Sequence, residues 1–132
     1  MRFEFGLLTV EATGEFSLEE AQQAFLEMLG AVVQYQSRKV FLDGRTMTGK
    51  PEHFERFLYS EFAANETLRV AKEHGLVPRF AYVLRQPLRD PGRFGENVAV
   101  NRGMNVKTFE IPEAAFQWLE VPPANKPDAN DA

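Results

Sequence analysis

Cysteine is absent from the 132 residues, and with it go disulfides, thiol nucleophiles and cysteine-based metal sites. The same absence fits a reducing compartment, and the cytoplasm is the expected location. Histidine is nearly as scarce. His53 and His74 are the only two, placed near opposite ends of one predicted helix, so they cannot share a metal and read as surface groups. Charge of one sign is not in excess either. The net charge is -4, with no long run of like charges, which argues against a nucleic-acid-binding surface because such surfaces are strongly basic. No apolar run approaches the roughly 20 residues of a membrane span. Met1-Arg2-Phe3-Glu4-Phe5 carries an acidic residue where a signal peptide needs an apolar core, so the protein is expected to stay where it is made. At 44% hydrophobic and 26% charged residues, the chain has the material for one ordinary core without staples.

What the chain does contain is a regular alternation of strand-like and helix-like segments. Between Arg2 and Thr13, Phe3, Phe5, Leu7, Leu8 and Val10 are interleaved with Glu4, Thr9 and Glu11, as in a half-buried strand that Gly6 either bulges or splits and Gly14 closes. Ser17-Leu18-Glu19-Glu20 has the form of a capping box. It predicts a helix to about Gln36, with Ala21, Ala24, Phe25, Met28, Leu29 and Val32 on its apolar face. Val40 to Leu42 is too short for a helix and lacks polar alternation, the pattern of a strand buried on both faces. The next helix is expected to have Pro51 in its first turn and Glu52 and Glu55 at the positive end of its dipole. Its stripe is Phe54, Phe57, Leu58, Phe62 and Leu68, and His74-Gly75 ends it.

Phe80 to Leu84 repeats the buried-strand pattern, and Asp90-Pro91 is expected to open a third helix with Phe94, Val98 and Asn101 on one face and Gly103 as its stop. Val106 to Phe109 is the last strand. Pro112 opens a final helix carrying Ala115, Trp118 and Leu119, which Pro122-Pro123 cannot continue. The alternation predicts one α/β domain over 1–121, a mixed, mostly parallel sheet of four to five strands with about four helices, followed by a flexible polar tail over 122–132.

The glycine-flanked loop after the central strand is where function is expected, because ligands of α/β sheets bind beyond the carboxyl ends of strands. Asp43, Arg45, Thr48, Gly49 and Lys50 form a candidate partner-binding or anion-binding loop, with Arg45, Thr48 and Lys50 pointing outward. Asp43 is a general acid or base if buried. The favoured reading is that it accepts hydrogen bonds from the turn it starts. Gly44-Arg45-Thr46-Met47-Thr48-Gly49-Lys50 has the glycine and lysine spacing of a phosphate-binding P-loop, but Pro51 stands where the magnesium-holding Ser or Thr belongs. Nucleotide hydrolysis is therefore not expected, whereas weak anion contact with the following helix N-terminus is permitted. Thr46 and Thr48 have no histidine base near them in sequence, so no catalytic residue is assigned, and no cofactor or metal is expected. Arg85, Arg89, Arg93 and Arg102 form a secondary basic surface able to attract an acidic partner.

Three groups of residues also carry a resemblance. Leu42-Asp43-Gly44-Arg45 leads to Thr48-Gly49-Lys50, Arg56-Phe57 is followed by Glu61, and Phe94-Gly95-Glu96-Asn97-Val98-Ala99-Val100-Asn101-Arg102-Gly103 precedes Phe109 and Ala115-Phe116-Gln117-Trp118-Leu119. Together they resemble the SpoIIAA-like, STAS-related domains, over nearly the whole chain to Leu119. The resemblance implies a small mixed sheet with about four helices and a regulatory, non-catalytic protein-interaction role of the kind played by anti-sigma factor antagonists. Those proteins use a phosphorylatable serine in an Asp-Ser-x-Gly turn. The corresponding loop here reads Thr46-Met47-Thr48-Gly49-Lys50-Pro51, which makes Thr48, with Thr46 beside it, the positional substitute. Two functional readings follow. In the first, a partner protein, or a second copy of the chain, docks on the loop. In the second, the protein binds a small ligand or anion, nucleotide or lipid, through Gly44 to Lys50, which a deep pocket with polar groups converging beside Lys50 would favour.

Overall fold

Phe5 and Gly6 decide how the chain begins. Both hold positive φ, 53° and 77°, so a two-residue turn folds β1 (Arg2–Glu4) back on β2 (Leu7–Glu11) as an antiparallel hairpin. The initial strand is thus split in two, and Phe5 is left 72% exposed at the turn. The computed structural model of the protein describes residues 1–122, so the expected tail over 122–132 lies, apart from Pro122, outside the described residues.

After the hairpin the order is α1 (Leu18–Tyr35), β3 (Lys39–Asp43), α2 (His53–His74), β4 (Arg79–Val83), α3 (Phe94–Asn101), β5 (Asn105–Phe109) and α4 (Pro112–Leu119). The sheet has five strands in the order β1-β2-β3-β4-β5, with β2 to β5 parallel and β3 at its centre. The protein is therefore an α/β fold with a mixed, mostly parallel sheet and four helices.

The alternation of side chains along the strands separates two cores. Leu8, Val40, Phe80 and Val106 share one register across the sheet and pack with Phe25, Met28 and Leu29 of α1, Ala63, Ala64 and Val70 of α2, and Ala99 of α3. Leu7, Phe41, Ala81, Val83 and Phe109 face the other way and are covered by Ala115, Phe116 and Leu119 of α4. Strands β3 and β4 are interior as their composition requires, with Val40, Phe41, Ala81 and Val83 all under 5% exposed.

The helix boundaries follow from their caps. Ser17 Oγ accepts from the Glu20 amide at 3.4 Å and starts α1 as expected, although Glu20 makes no return bond. Pro51 is not in the first turn of α2. It precedes the N-cap, and the box is made instead by Glu52 and Glu55, whose carboxylate accepts from the Glu52 amide at 2.9 Å. Gly75, at φ 65°, ends α2 where expected.

The stripe of α2 also differs from expectation. Phe54 and Leu68 are 66% and 42% exposed, and the buried residues are Ser60, Ala63, Ala64, Thr67 and Val70. The reason is crowding. Helix α2 lies between α1 and α3, and at Gly95 of α3 even a Cβ would come within 2.8 Å of Ser60 Oγ, so the contact face must be small. Helix α3 begins at Phe94 and not at Asp90-Pro91, because Arg93 takes the left-handed conformation and breaks the turn from the helix. The Asp90 carboxylate still caps it, accepting from the Phe94 amide at 3.0 Å and the Gly92 amide at 3.2 Å. Its expected face of Phe94, Val98 and Asn101 is not the buried one: Phe94 and Val98 are half-buried and Asn101 is exposed, and the buried residue is Ala99. Helix α4 stops at Glu120, itself left-handed at φ 60°, before the prolines are reached.

Candidate functional site

The loop after β3 is a tied structure. Gly44 donates to the Val83 carbonyl at 2.8 Å, and Thr48 pairs with the segment after β2, donating to Gly14 O and accepting from Phe16 N, both at 2.9 Å. Asp43 anchors the turn by accepting from the Arg45 amide at 3.1 Å and from the Arg45 guanidinium at 2.9 and 2.8 Å. Those side-chain hydrogen bonds from Arg45 hold the Asp43 carboxyl below its ordinary range, against the opposing effect of burial. Arg45 therefore folds inward onto Asp43, with its side chain 15% exposed, and is not an outward contact. Thr46, Thr48 and Lys50 are exposed, and Gly49 holds φ 107°. The loop thus offers two threonine hydroxyls and one ammonium to solvent, on a backbone fixed by its neighbours.

The four arginines of the secondary surface do not act as one patch. Arg102 pairs with Glu61 at 3.1 Å and lies over the Phe57 ring at 5.4 Å. Arg89 is drawn to the free edge of β5, where it bonds Thr108 Oγ1 at 3.2 Å, Thr108 O at 3.4 Å and Glu110 at 3.2 Å. Glu96 completes that edge by accepting from Thr108 N at 2.7 Å and Thr108 Oγ1 at 2.9 Å. Arg85 and Arg93 remain exposed. His53 and His74 occupy the two ends of α2, and among the described residues no cluster of three metal-ligating side chains occurs. Trp118 is half-buried over the α4 core, with the Arg79 guanidinium 4.4 Å above its ring.

The feature that the linear sequence conceals is a crevice of about 450 Å³ on the face of the sheet covered by α1, α2 and α3, toward the carboxyl ends of the strands. Its floor is Leu42, Tyr82 and Val106, its sides come from Phe25 and Met28 of α1 and Tyr59 and Ala63 of α2, and Leu84 and Leu88 close it beyond β4. The volume lies in the range of small-molecule sites, and the wall is mainly apolar. The organising loop contributes Met47 and Pro51 to this wall, but Asp43, Arg45, Thr48, Gly49 and Lys50 are not part of it. The crevice therefore borders the candidate loop from its inner side, and polar groups do not converge beside Lys50.

Polar side chains also line the crevice, among them Glu11, Glu15, Glu20, Arg89, Asp90 and Glu96, and two further polar features have a defined geometry. The hydroxyls of Tyr59 and Tyr82 meet at 2.8 Å. Burial pushes the Tyr59 phenol up to about 12 and, together with the neighbouring Tyr59, pushes Tyr82 well above its ordinary value, so both remain protonated at neutral pH. Arg56 also lines the crevice and donates to Leu88 O and Pro87 O, both at 2.7 Å, which fastens the loop after β4 to α2. A tyrosine inside the otherwise apolar run Phe80-Ala81-Tyr82-Val83 is the one signal in the sequence, since a buried phenol needs a partner.

Among the described residues no helix is long and apolar enough to cross a membrane. In comparison with known proteins, no protein-family model and no curated sequence matches the chain.

Proposed function

We propose that the protein is a small-ligand-binding module whose ligand, a predominantly apolar molecule, occupies the crevice between the sheet and helices α1 to α3. The observation that carries this reading is the crevice itself, a space of about 450 Å³ lined mainly by apolar side chains at the carboxyl ends of parallel strands. The reading assigns binding to the crevice and no reaction. Its test is a fluorescence titration with N-phenyl-1-naphthylamine, an uncharged apolar probe that brightens on leaving water. Saturable binding at one site is expected, and Ala24→Phe, which adds a ring at an exposed wall position, should weaken it by about tenfold or more. Absence of saturable binding, or equal binding by the variant, would sink the reading.

A second reading is supported by the exposure of Thr46, Thr48 and Lys50 at the end of the central strand. In it the protein is a regulatory module of the STAS-like kind, and a protein partner, or a second copy of the chain, docks on this loop. The α/β arrangement agrees with the fold that the resemblance implies, and the cysteine-free composition supports placing the module in the cytoplasm. Phosphate on Thr48 would add nearly two negative charges beside Lys50 and repel an acidic partner. Affinity purification from the native cell, read by mass spectrometry for partners and threonine phosphate, tests this directly. Thr48→Glu and Lys50→Ala should each lower the recovered partner, and undiminished capture by both would exclude the loop.

A further inference from the structure

Three polar residues are buried in the described chain, and two of them are satisfied internally. Ser37 donates to Lys39 O and Thr67 to Ala63 O, both at 2.7 Å. The third, Ser60, is 7% exposed and lines the crevice, and its hydroxyl has no hydrogen-bond partner among the described residues. The Tyr59–Tyr82 pair on the same wall has a related shortfall. Each phenol carries one hydrogen to donate, so a contact between the two oxygens at 2.8 Å uses one hydrogen and leaves the other. Neither oxygen has a further partner among the described residues, and the protein therefore supplies no acceptor for that remaining O–H. An acceptor from outside the chain, water or ligand, completes the pair. A ligand that displaces water there without bringing an oxygen of its own leaves a buried donor unpaired and binds more weakly for it.

We propose that the crevice selects an uncharged, largely apolar molecule bearing a carbonyl-type oxygen, which accepts a hydrogen bond from the Tyr59–Tyr82 pair while Ser60 offers a second hydroxyl on the same wall. The inference rests on the reading of the crevice as a ligand site and adds the chemistry of what it holds. The oxygen is uncharged because the surroundings of the pair penalise negative charge. Burial raises both phenols by disfavouring their anions, and a carboxylate placed beside them meets the same desolvation cost. Of the three arginines that line the crevice, Arg56 is committed to the Pro87 and Leu88 carbonyls and Arg89 to Thr108 and Glu110, while Arg93 is exposed and shares the lining with the carboxylates Asp90 and Glu96.

Three probes of one skeleton test this by displacement of N-phenyl-1-naphthylamine from the intact protein: diphenylmethane, benzophenone and diphenylacetate. The ketone should bind about threefold to tenfold more tightly than the hydrocarbon, the worth of one ordinary hydrogen bond, and also more tightly than the carboxylate. Either single change, Tyr59→Phe or Tyr82→Phe, frees the remaining phenol to donate, so part of the ketone preference survives. The double change should abolish that preference and leave diphenylmethane affinity intact, which a merely structural role for the pair would not do. Should the double variant fail to fold, the carbonyl stretch of carbon-13-labelled benzophenone bound to the parent decides the matter. A band lowered from its position in hexane supports the proposal, and a band at the hexane position overturns it. Equal affinity for ketone and hydrocarbon, or preference for the carboxylate, overturns this proposal while the crevice stands as a ligand site. If neither the naphthylamine nor any of the three binds, the ligand-site reading and the proposal fall together.

Discussion

Replacing Phe116 with alanine removes the ring that joins α4 to the sheet. Phe116 is 1% exposed, and its ring centroid lies 4.5 Å from that of Phe41 on the central strand. Among the described residues α4 is the one helix on that face, so no neighbouring helix can move in to fill the space. Buried phenylalanine to alanine costs about 3–5 kcal/mol, of which an aromatic pair accounts for about 0.5–1.5. For a domain whose total stability is of the order of 5–15 kcal/mol this is a large fraction. It corresponds to a fall in Tm of about 10–20 °C at this chain length. The control is Phe54→Ala, the same chemical change at a site 66% exposed, where about 0.5 kcal/mol or less is expected. Urea unfolding followed by fluorescence of Trp118, the sole tryptophan, and in parallel by circular dichroism, gives both values and tests whether the transition is two-state. Equal midpoints for Phe116→Ala and Phe54→Ala would refute the assignment of α4 as the seal of the second core and would restore Phe54 to the stripe that the spacing of α2 suggests.

Three further outcomes are expected. Asp43 is held below its ordinary 3.8 chiefly by the Arg45 side chain, and a lowered folded pKa means stability present above the unfolded value and lost as pH falls through the folded one. Arg45→Met should therefore be less stable than the parent at about pH 6, with the gap narrowing as the pH falls below the ordinary aspartate value of 3.8, and a gap that does not change with pH would contradict the pairing. Gly49→Ala should cost about 1–3 kcal/mol, since φ is 107° and the new Cβ would sit 3.3 Å from Phe16 N. Gly30→Ala, in an open helical position, should instead stabilise by about 0.5–1 kcal/mol, and urea midpoints that move in the same direction would refute the contrast. The purified protein should not hydrolyse ATP or GTP, because Pro51 replaces the magnesium-holding hydroxyl. Turnover that disappears in Lys50→Ala would overturn this.

The parts of the fold that were legible in the sequence are those specified locally. Ser17 punctuates a helix through its side-chain oxygen and Gly75 and Pro112 through their backbone preferences, and the apolar runs around Phe41 and Ala81 mark strands buried on both faces. What was not legible depends on neighbours distant in the chain. The inward face of α2 is small because two other helices press on it, so the larger Phe54 and Leu68 are displaced to the surface, while Phe62 of the same stripe still packs against the core. Asp90-Pro91 has the composition of a helix start, yet the left-handed Arg93 delays the helix while leaving Asp90 its capping role. Of the candidate loop, Asp43 as an anchor could be read directly, whereas the inward turn of Arg45 could not. The crevice was hidden altogether, because Tyr59 and Tyr82 stand on different elements and only the sheet register and the packing of α2 bring their hydroxyls together.

The side chains on the outer edge of β5 carry a consequence for assembly. An unpaired parallel edge is a template for strand addition, the route by which sheet proteins fuse into larger sheets or fibres. Here the N–H and C=O of Thr108, on the exposed flank of β5, are already engaged by Glu96 and Arg89. An incoming strand would have to displace a carboxylate and a guanidinium to pair at Thr108, while the opposite edge offers just the three residues of β1. Glu96 and Arg89 thus occupy at Thr108 the backbone groups through which a further strand would extend the sheet.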